Sequence, residues 1–315
     1  MKEATRKITT ELITKIEPDC RKKNRRSHQH LRLRITTRIE DLIMKRWNPE
    51  GAIAVLTGAS SGIGRCLTHQ LADCGATVIA VARREPQLTE TVSSWQSKGQ
   101  GRILPLVGDI TDPETHLLIK NELTQLTDDH RLDLLVNNAG VGAIGPFAEA
   151  TPQRLRQVME INFFSAAELT RTLLPSLRQS SSPVICNIGS VLGHCAVPDK
   201  SEYCASKFAL HGWSDALRCE LACEGFQVTL VSPSTTRSEF FHALIETDSK
   251  TKSKSLGSWP ADRVAAATLN AIIRRKREVV LSIGGKLLVY ADRLIPGIMN
   301  KFLKRPHYAV KANAN

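Results

Sequence analysis

Residues 52–64 read Ala-Ile-Ala-Val-Leu-Thr-Gly-Ala-Ser-Ser-Gly-Ile-Gly. The apolar run at 52–56 predicts a buried strand. Three glycines follow within seven residues, Gly58, Gly62 and Gly64, and a helical pattern runs from 62 to 74. Strand, glycine turn and helix together build a phosphate cradle. Glycine lets the backbone turn tightly, and a helix N-terminus offers free N–H groups and partial positive charge. A glycine-rich turn alone is also what any ordinary loop contains, so its meaning depends on the rest of the chain.

Downstream, strand and helix patterns alternate. Strands are expected at 76–81, 103–107, 132–136, 184–188, 227–231 and 279–283. Helices are expected at 86–98, 113–127, 152–177, 202–223 and 261–273. The strands read as continuous apolar runs rather than alternating ones. That predicts a parallel sheet covered by helices on both faces, an α/β doubly wound fold of about seven strands in one domain.

The net charge of +12 is uneven. Residues 1–47 hold 14 Lys/Arg against 6 Asp/Glu, and the other 268 residues hold 29 against 25. The body is therefore near neutral, which argues against a nucleic-acid groove in the fold. Residues 1–47 read as a basic, solvated leader, with a basic run at 21–26 that could meet nucleic acid or anionic lipid but lacks interleaved aromatics. Met44 stands eight residues before the first strand, and residues 1–43 are expected to be dispensable for fold and cofactor binding. The eight cysteines form no Cys-x-x-Cys pair. Cys219 and Cys223 could share a ligand on one helix face, but small residues packed in a reduced core is the favoured reading, and no metal ligand set is assigned. The N-terminus has no apolar signal core, and no run approaches the ~20 apolar residues that span a bilayer. A cytoplasmic protein is expected.

In open parallel sheets, ligands bind outside the carboxyl ends of the strands. The unusual polar residues fall there: Thr57-Gly58, Arg83-Arg84, Gly108-Asp109-Ile110, Asn137-Asn138-Ala139-Gly140, Gly189-Ser190 and Ser232-Pro233-Ser234. Asn162 sits on the apolar face of its helix, where an amide needs partners. Tyr203 and Lys207 lie at i and i+4 of a helix and share a face. A nearby cation favours an ionised phenol, so Tyr203 is a plausible acid/base.

With these residues in place, the chain resembles the short-chain dehydrogenase/reductase family in its shorter single-domain form, over about residues 51–283. Thr57-Gly58-x-x-x-Gly62-x-Gly64 matches the family's cofactor motif, and Asn137-Asn138-Ala139-Gly140 its sheet-stabilising motif. Tyr203-x-x-x-Lys207 matches the active-site motif, and Ser190 stands at the usual thirteen residues before the tyrosine. The glycine spacing is that of the reductases rather than of the larger epimerase and dehydratase branch. The resemblance implies a Rossmann-type fold and hydride transfer between a nicotinamide and a carbonyl or alcohol carbon. Tyr203 would be the acid/base, and Lys207 would hold the ribose and lower the tyrosine pKa. Ser190 would orient the substrate oxygen, and Asn162 would hold a water. It implies a dinucleotide held by Thr57, Gly58, Ser60, Ser61, Gly62, Ile63 and Gly64, with Asp109 and Ile110 bordering the adenine. Asn137, Ala139, Gly140, Tyr203, Lys207 and Pro233 would complete the site.

Where an NAD site carries an acidic residue after strand two, this chain has Ala82, then Arg83 and Arg84. Arginine suits a ribose 2′-phosphate, so NADP(H) is expected over NAD(H). The family's Pro-Gly after strand six is here Pro233-Ser234. Residues 235–258 are expected to form a substrate lid, with Phe240, Phe241, Leu244 and Ile245 as its apolar lining. Residues 286–315 read as a basic amphipathic tail, broken near Pro296, that could lie on a membrane surface, cap the pocket or pack in an oligomer. The partners expected are a small carbonyl or alcohol substrate, further copies of the chain and, as the alternative location, a membrane surface. No nucleic acid is expected. The rival functions are a nucleotide-binding regulator without turnover and a membrane-tethered scaffold.

Overall fold

A computed structural model describes residues 46–96, 99–237, 244–245 and 258–303. The leader at 1–45, most of the expected lid (Phe240 and Phe241 included) and the tail beyond 303 lie outside the described residues.

The strands are β1 (Ile53–Thr57), β2 (Thr77–Ala82), β3 (Arg102–Val107), β4 (Leu134–Asn137), β5 (Val184–Ile188) and β6 (Gln227–Ser232). Two short strands follow, β7 (Thr236–Arg237) and β8 (Trp259–Pro260), and then β9 (Glu278–Val280). The helices are α1 (Gly62–Asp73), α2 (Glu85–Ser93), α3 (Pro113–Leu126), α4 (Pro152–Met159), α5 (Ser165–Arg178), α6 (Ser201–Glu220), α7 (Ala261–Ile273), α8 (Ile283–Leu294) and α9 (Pro296–Leu303).

Seven strands form one parallel sheet in the order β3-β2-β1-β4-β5-β6-β9. It is the doubly wound Rossmann-type sheet expected from the sequence. The reason is legible in β1, whose residues alternate between two cores. Ala54 and Leu56 pack with Leu67, Leu71, Val264 and Ile272 of α1 and α7. Ile53 and Val55 pack with Ile119, Leu123, Leu169 and Leu217 of α3, α5 and α6. A strand buried on both faces must be apolar at every position. The strand order reverses between β1 and β4, and this switch point opens a crevice at their carboxyl ends.

Three expectations are corrected. The pattern at 152–177 is not one α-helix: a π-helical turn, Glu160–Phe164, separates α4 from α5. Ile283 does not continue the last strand. Ser282 caps α8 by accepting from Gly285 N at 3.0 Å, so a helix begins there. Trp47 is not part of a solvated leader, since it is buried and its N–H donates to the Ile273 carbonyl. The cysteines also divide: Cys186, Cys195 and Cys204 are buried, whereas Cys74, Cys219 and Cys223 are exposed and lie outside any core.

Candidate active site at the carboxyl edge

The turn after β1 is tied to the turn after β4. Thr57 Oγ1 accepts from the N–H groups of Asn138 and Ala139, each at 3.0 Å. The Asn138 amide donates to the carbonyls of Thr57 and Gly58 at 2.9 and 3.2 Å. Gly58 has φ +69°, and a Cβ there would lie 2.9 Å from the Asn138 amide nitrogen. A Cβ at Gly64 would lie 2.1 Å from the Gly58 carbonyl oxygen. Only glycine lets α1 approach the turn this closely, which sets the unpaired N–H groups of its first turn at the crevice. The residues present therefore fit a pyrophosphate at this point. Ile63 packs beneath them against the α1–α7 core.

Both arginines after β2 reach this edge. Arg84 Nη2 donates to Ser60 Oγ at 3.2 Å and Ser61 Oγ at 2.9 Å. Arg83 pairs with Asp109 at 3.3 Å, both half exposed. Asp109 also accepts from the N–H and hydroxyl of Thr111. Burial alone would raise its carboxyl, but the Thr111 bonds and Arg83 outweigh it and the pKa is lowered. Ile110 is buried beside it.

Asn137 sits differently. Its side chain turns into the sheet, donating to Thr170 Oγ1 and Asn187 Oδ1 at 3.1 and 2.8 Å. Any contact it makes with a dinucleotide comes from its backbone.

The reactive residues gather on β5, α6 and the π-turn. Ser190 follows β5 and accepts from Leu192 N at 3.1 Å. Burial pushes the Tyr203 phenol up to about 12, while a hydrogen bond with Ser190 opposes the rise. Lys207 lies one turn along α6, its ammonium 5.8 Å from the Tyr203 ring centroid. It donates to the Ile188 carbonyl at 2.9 Å, and burial lowers its pKa to about 8. Burial is the largest influence on the phenol here, and the Ser190 bond is what opposes it.

Asn162 sits in the π-turn, 1% exposed. Its Oδ1 accepts from Val141 N at 2.7 Å, and its Nδ2 donates to Val141 O and Ser206 Oγ, each at 2.9 Å. Ser206 Oγ in turn donates to the Tyr203 carbonyl at 2.8 Å. One amide thus ties the loop after β4 to the helix that carries Tyr203 and Lys207. A π-turn widens the helix locally and often marks a functional site.

Pro233 accepts from Val191 N at 3.0 Å, so the loops after β5 and β6 are joined. The serine that replaces the family's glycine has a partner: Ser234 Oγ accepts from Ser282 Oγ at 2.9 Å. From the expected lid, Ile245 N donates to Gly142 O at 2.9 Å and Ile245 packs by Val141 and Val158, while Leu244 bridges to Gly142.

Sequence reasoning missed one pair beside the site. Arg154 of α4 donates to Glu202 Oε1 through Nε at 2.9 Å and Nη2 at 2.6 Å, and both side chains are buried. Burial would raise the Glu202 carboxyl, yet Arg154 and Ser201 hold it below its ordinary value. Glu202 adjoins Tyr203, so this pair fixes the start of α6. The one signal in the sequence was an acid directly before the tyrosine.

The family model described as short chain dehydrogenase matches residues 52–249. The chain is 30% identical over 262 residues to a dehydrogenase/reductase SDR family protein 7-like of Drosophila melanogaster, covering 79% of this chain and 78% of that protein. It is 31% identical over 263 residues to the uncharacterized oxidoreductase YbbO of Escherichia coli, covering 79% and 93%. Among solved structures, a short chain dehydrogenase from Burkholderia cenocepacia in complex with NADP superposes with TM-score 0.68 at 26% identity, covering 82% of this chain and all of that one. A short chain dehydrogenase/reductase from Burkholderia phymatum in complex with NAD shares the fold, with TM-score 0.70 at 24% identity, covering 82% and 99%.

Proposed function

The chain belongs to the short-chain dehydrogenase family of oxidoreductases, and we propose that it is NADP(H)-dependent, with a carbonyl compound or secondary alcohol as substrate and Tyr203 as the acid/base. The observation that carries this reading is the convergence of the Tyr203 phenol, the Ser190 hydroxyl and the Lys207 ammonium at the carboxyl edge. A bound dihydronicotinamide supplies the hydride that reaches the carbonyl carbon in reduction. Tyr203 gives its phenolic proton to the carbonyl oxygen, and the high phenol pKa keeps that proton in place at neutral pH. Ser190 hydrogen-bonds the same oxygen and so orients the carbonyl. Lys207 spends one N–H on Ile188 and has two left for ribose hydroxyls. Asn162 positions α6 through Val141 and Ser206, and holds a water that leads from Lys207 to solvent.

Solved neighbours hold NAD or NADP, which supports a nicotinamide cofactor. The preference for NADP(H) rests on Arg83 and Arg84. Both guanidiniums lie at the end of β2 beside the turn, where a 2′-phosphate needs paired donors. The presence of Ser190, Tyr203, Lys207 and Asn162 together supports turnover over a nucleotide-binding regulator. A panel of carbonyl compounds with NADPH, followed by nicotinamide absorbance, tests the reading. Oxidation of NADPH that depends on a carbonyl compound supports it, and dead silence across aliphatic, aromatic, steroidal and acyl-thioester carbonyls counts against it.

A further inference from the structure

We propose that the outer face of α8 and α9 docks on an anionic lipid surface. Ile283, Leu287, Tyr290 and Leu294 are each between 62% and 79% exposed. At 3.6 residues per turn these four positions fall within an arc of about 60°. Ile298 of α9 is half exposed as well. The stripe cannot turn inward, because the opposite face of α8 is already committed. Val289 is buried, and a Cβ at Gly285 would lie 2.8 Å from Val191. The helix start is pinned by Ser282, which donates to Ser234 and caps Gly285 N.

Charge identifies the occupant. Lys286 and Arg293 run along one flank of the stripe, and Lys301 follows on α9. From residue 281 to 315 the sequence has six Lys/Arg and a single acid, Asp292. A two-fold contact between two such faces would set cation against cation, so a second copy fits poorly. An apolar stripe edged by Lys and Arg on a helix lying flat is the pattern of an interfacial helix, and anionic headgroups supply the complement. No helix among the described residues is long and apolar enough to cross a membrane, so the contact is a surface one.

The test uses the full chain and sedimentation with phosphatidylcholine vesicles, alone or with about 30 mol% phosphatidylserine. The protein is expected to bind the phosphatidylserine vesicles, less at high salt, and to leave the neutral ones. Leu287→Asp with Leu294→Asp is expected to cut that partitioning about tenfold or more, with an unchanged unfolding midpoint. Should that variant fold poorly, Lys286→Glu with Lys301→Glu tests the same face. Absence of binding overturns the proposal. So does equal binding by the variants, which would assign the contact to the basic residues 1–47. A dimer that the leucine variant splits, with no vesicle binding, also overturns it.

Discussion

The Lys207 ammonium lies 5.8 Å from the centroid of the Tyr203 ring, and on one face of α6 Lys207 is buried and Tyr203 partly buried. Burial pushes the phenol up to about 12 and the ammonium down to about 8, so both neutral forms are favoured. A phenol set this way is protonated at neutral pH, the form that a proton donor in reduction needs. For reduction, kcat/KM is expected to hold through neutral pH and to fall above about 8, where Lys207 loses its charge.

The same shift has a cost in stability. The folded pKa of Lys207, about 8, lies below its ordinary 10.5, so the folded protein binds this proton less tightly than the unfolded chain. The destabilisation is full below about pH 8 and is relieved as pH rises toward 10.5. Lys207→Met is expected to raise the unfolding free energy by about 1–3 kcal/mol at neutral pH, after losing the bond to Ile188, while removing turnover. Urea unfolding beside a rate assay checks both.

Asn162 satisfies the N–H and the carbonyl of Val141, and the Ser206 hydroxyl. Asn162→Ala leaves the N–H and the carbonyl of Val141 unpaired, while Ser206 keeps its bond to the Tyr203 carbonyl, and is expected to cost about 2–4 kcal/mol. Turnover should fall with it, because α6 loses its tie to the loop after β4. Calorimetry and kcat are the measurements.

Arg154 and Glu202 form a buried ion pair. Glu202→Gln removes the counter-charge from a buried guanidinium and is expected to cost about 3–5 kcal/mol. Replacing both, as Arg154→Met with Glu202→Leu, should cost much less. A double-mutant cycle by denaturant unfolding measures the difference.

The arginines after β2 should separate the two dinucleotides. Each charge-assisted contact to a phosphate contributes about 1.5–3 kcal/mol, so Arg83→Asp and Arg84→Ala should each weaken NADPH about 10- to 100-fold. NADH binding should change little. Fluorescence titration with both cofactors decides it, and equal losses for both would remove the case for a 2′-phosphate site.

Much of this was legible in the sequence because it is local. The run Ile53 to Thr57 and the glycines after it announce a strand, a turn and a helix, and repeating that unit gives a parallel sheet covered on both faces, whereas the strand order comes from the structure. Tyr203 and Lys207 share a face through helix geometry alone. The π-turn was not legible: Met159, Phe163 and Ala166 keep a helical apolar rhythm through one extra residue, so periodicity does not register the widening. The Arg154–Glu202 pair joins positions 48 apart, and α4 reads as a polar surface helix. Ile283 looked like strand because it follows Val279, Val280 and Leu281, but the Ser282 hydroxyl caps a helix there. Asn137 and Asn138 are adjacent and alike in sequence. Only the alternation of β4 sends one side chain into the sheet and the other to the turn.

The central claim is that Tyr203 supplies the proton. Tyr203→Phe keeps the ring and its packing and removes only the hydroxyl. The decisive measurement is its kcat on a substrate found with the unaltered protein, beside its Kd for NADPH. The expected result is a loss of turnover of about 1,000-fold or more with a Kd within about threefold of the original. Turnover within tenfold of the original would contradict the account.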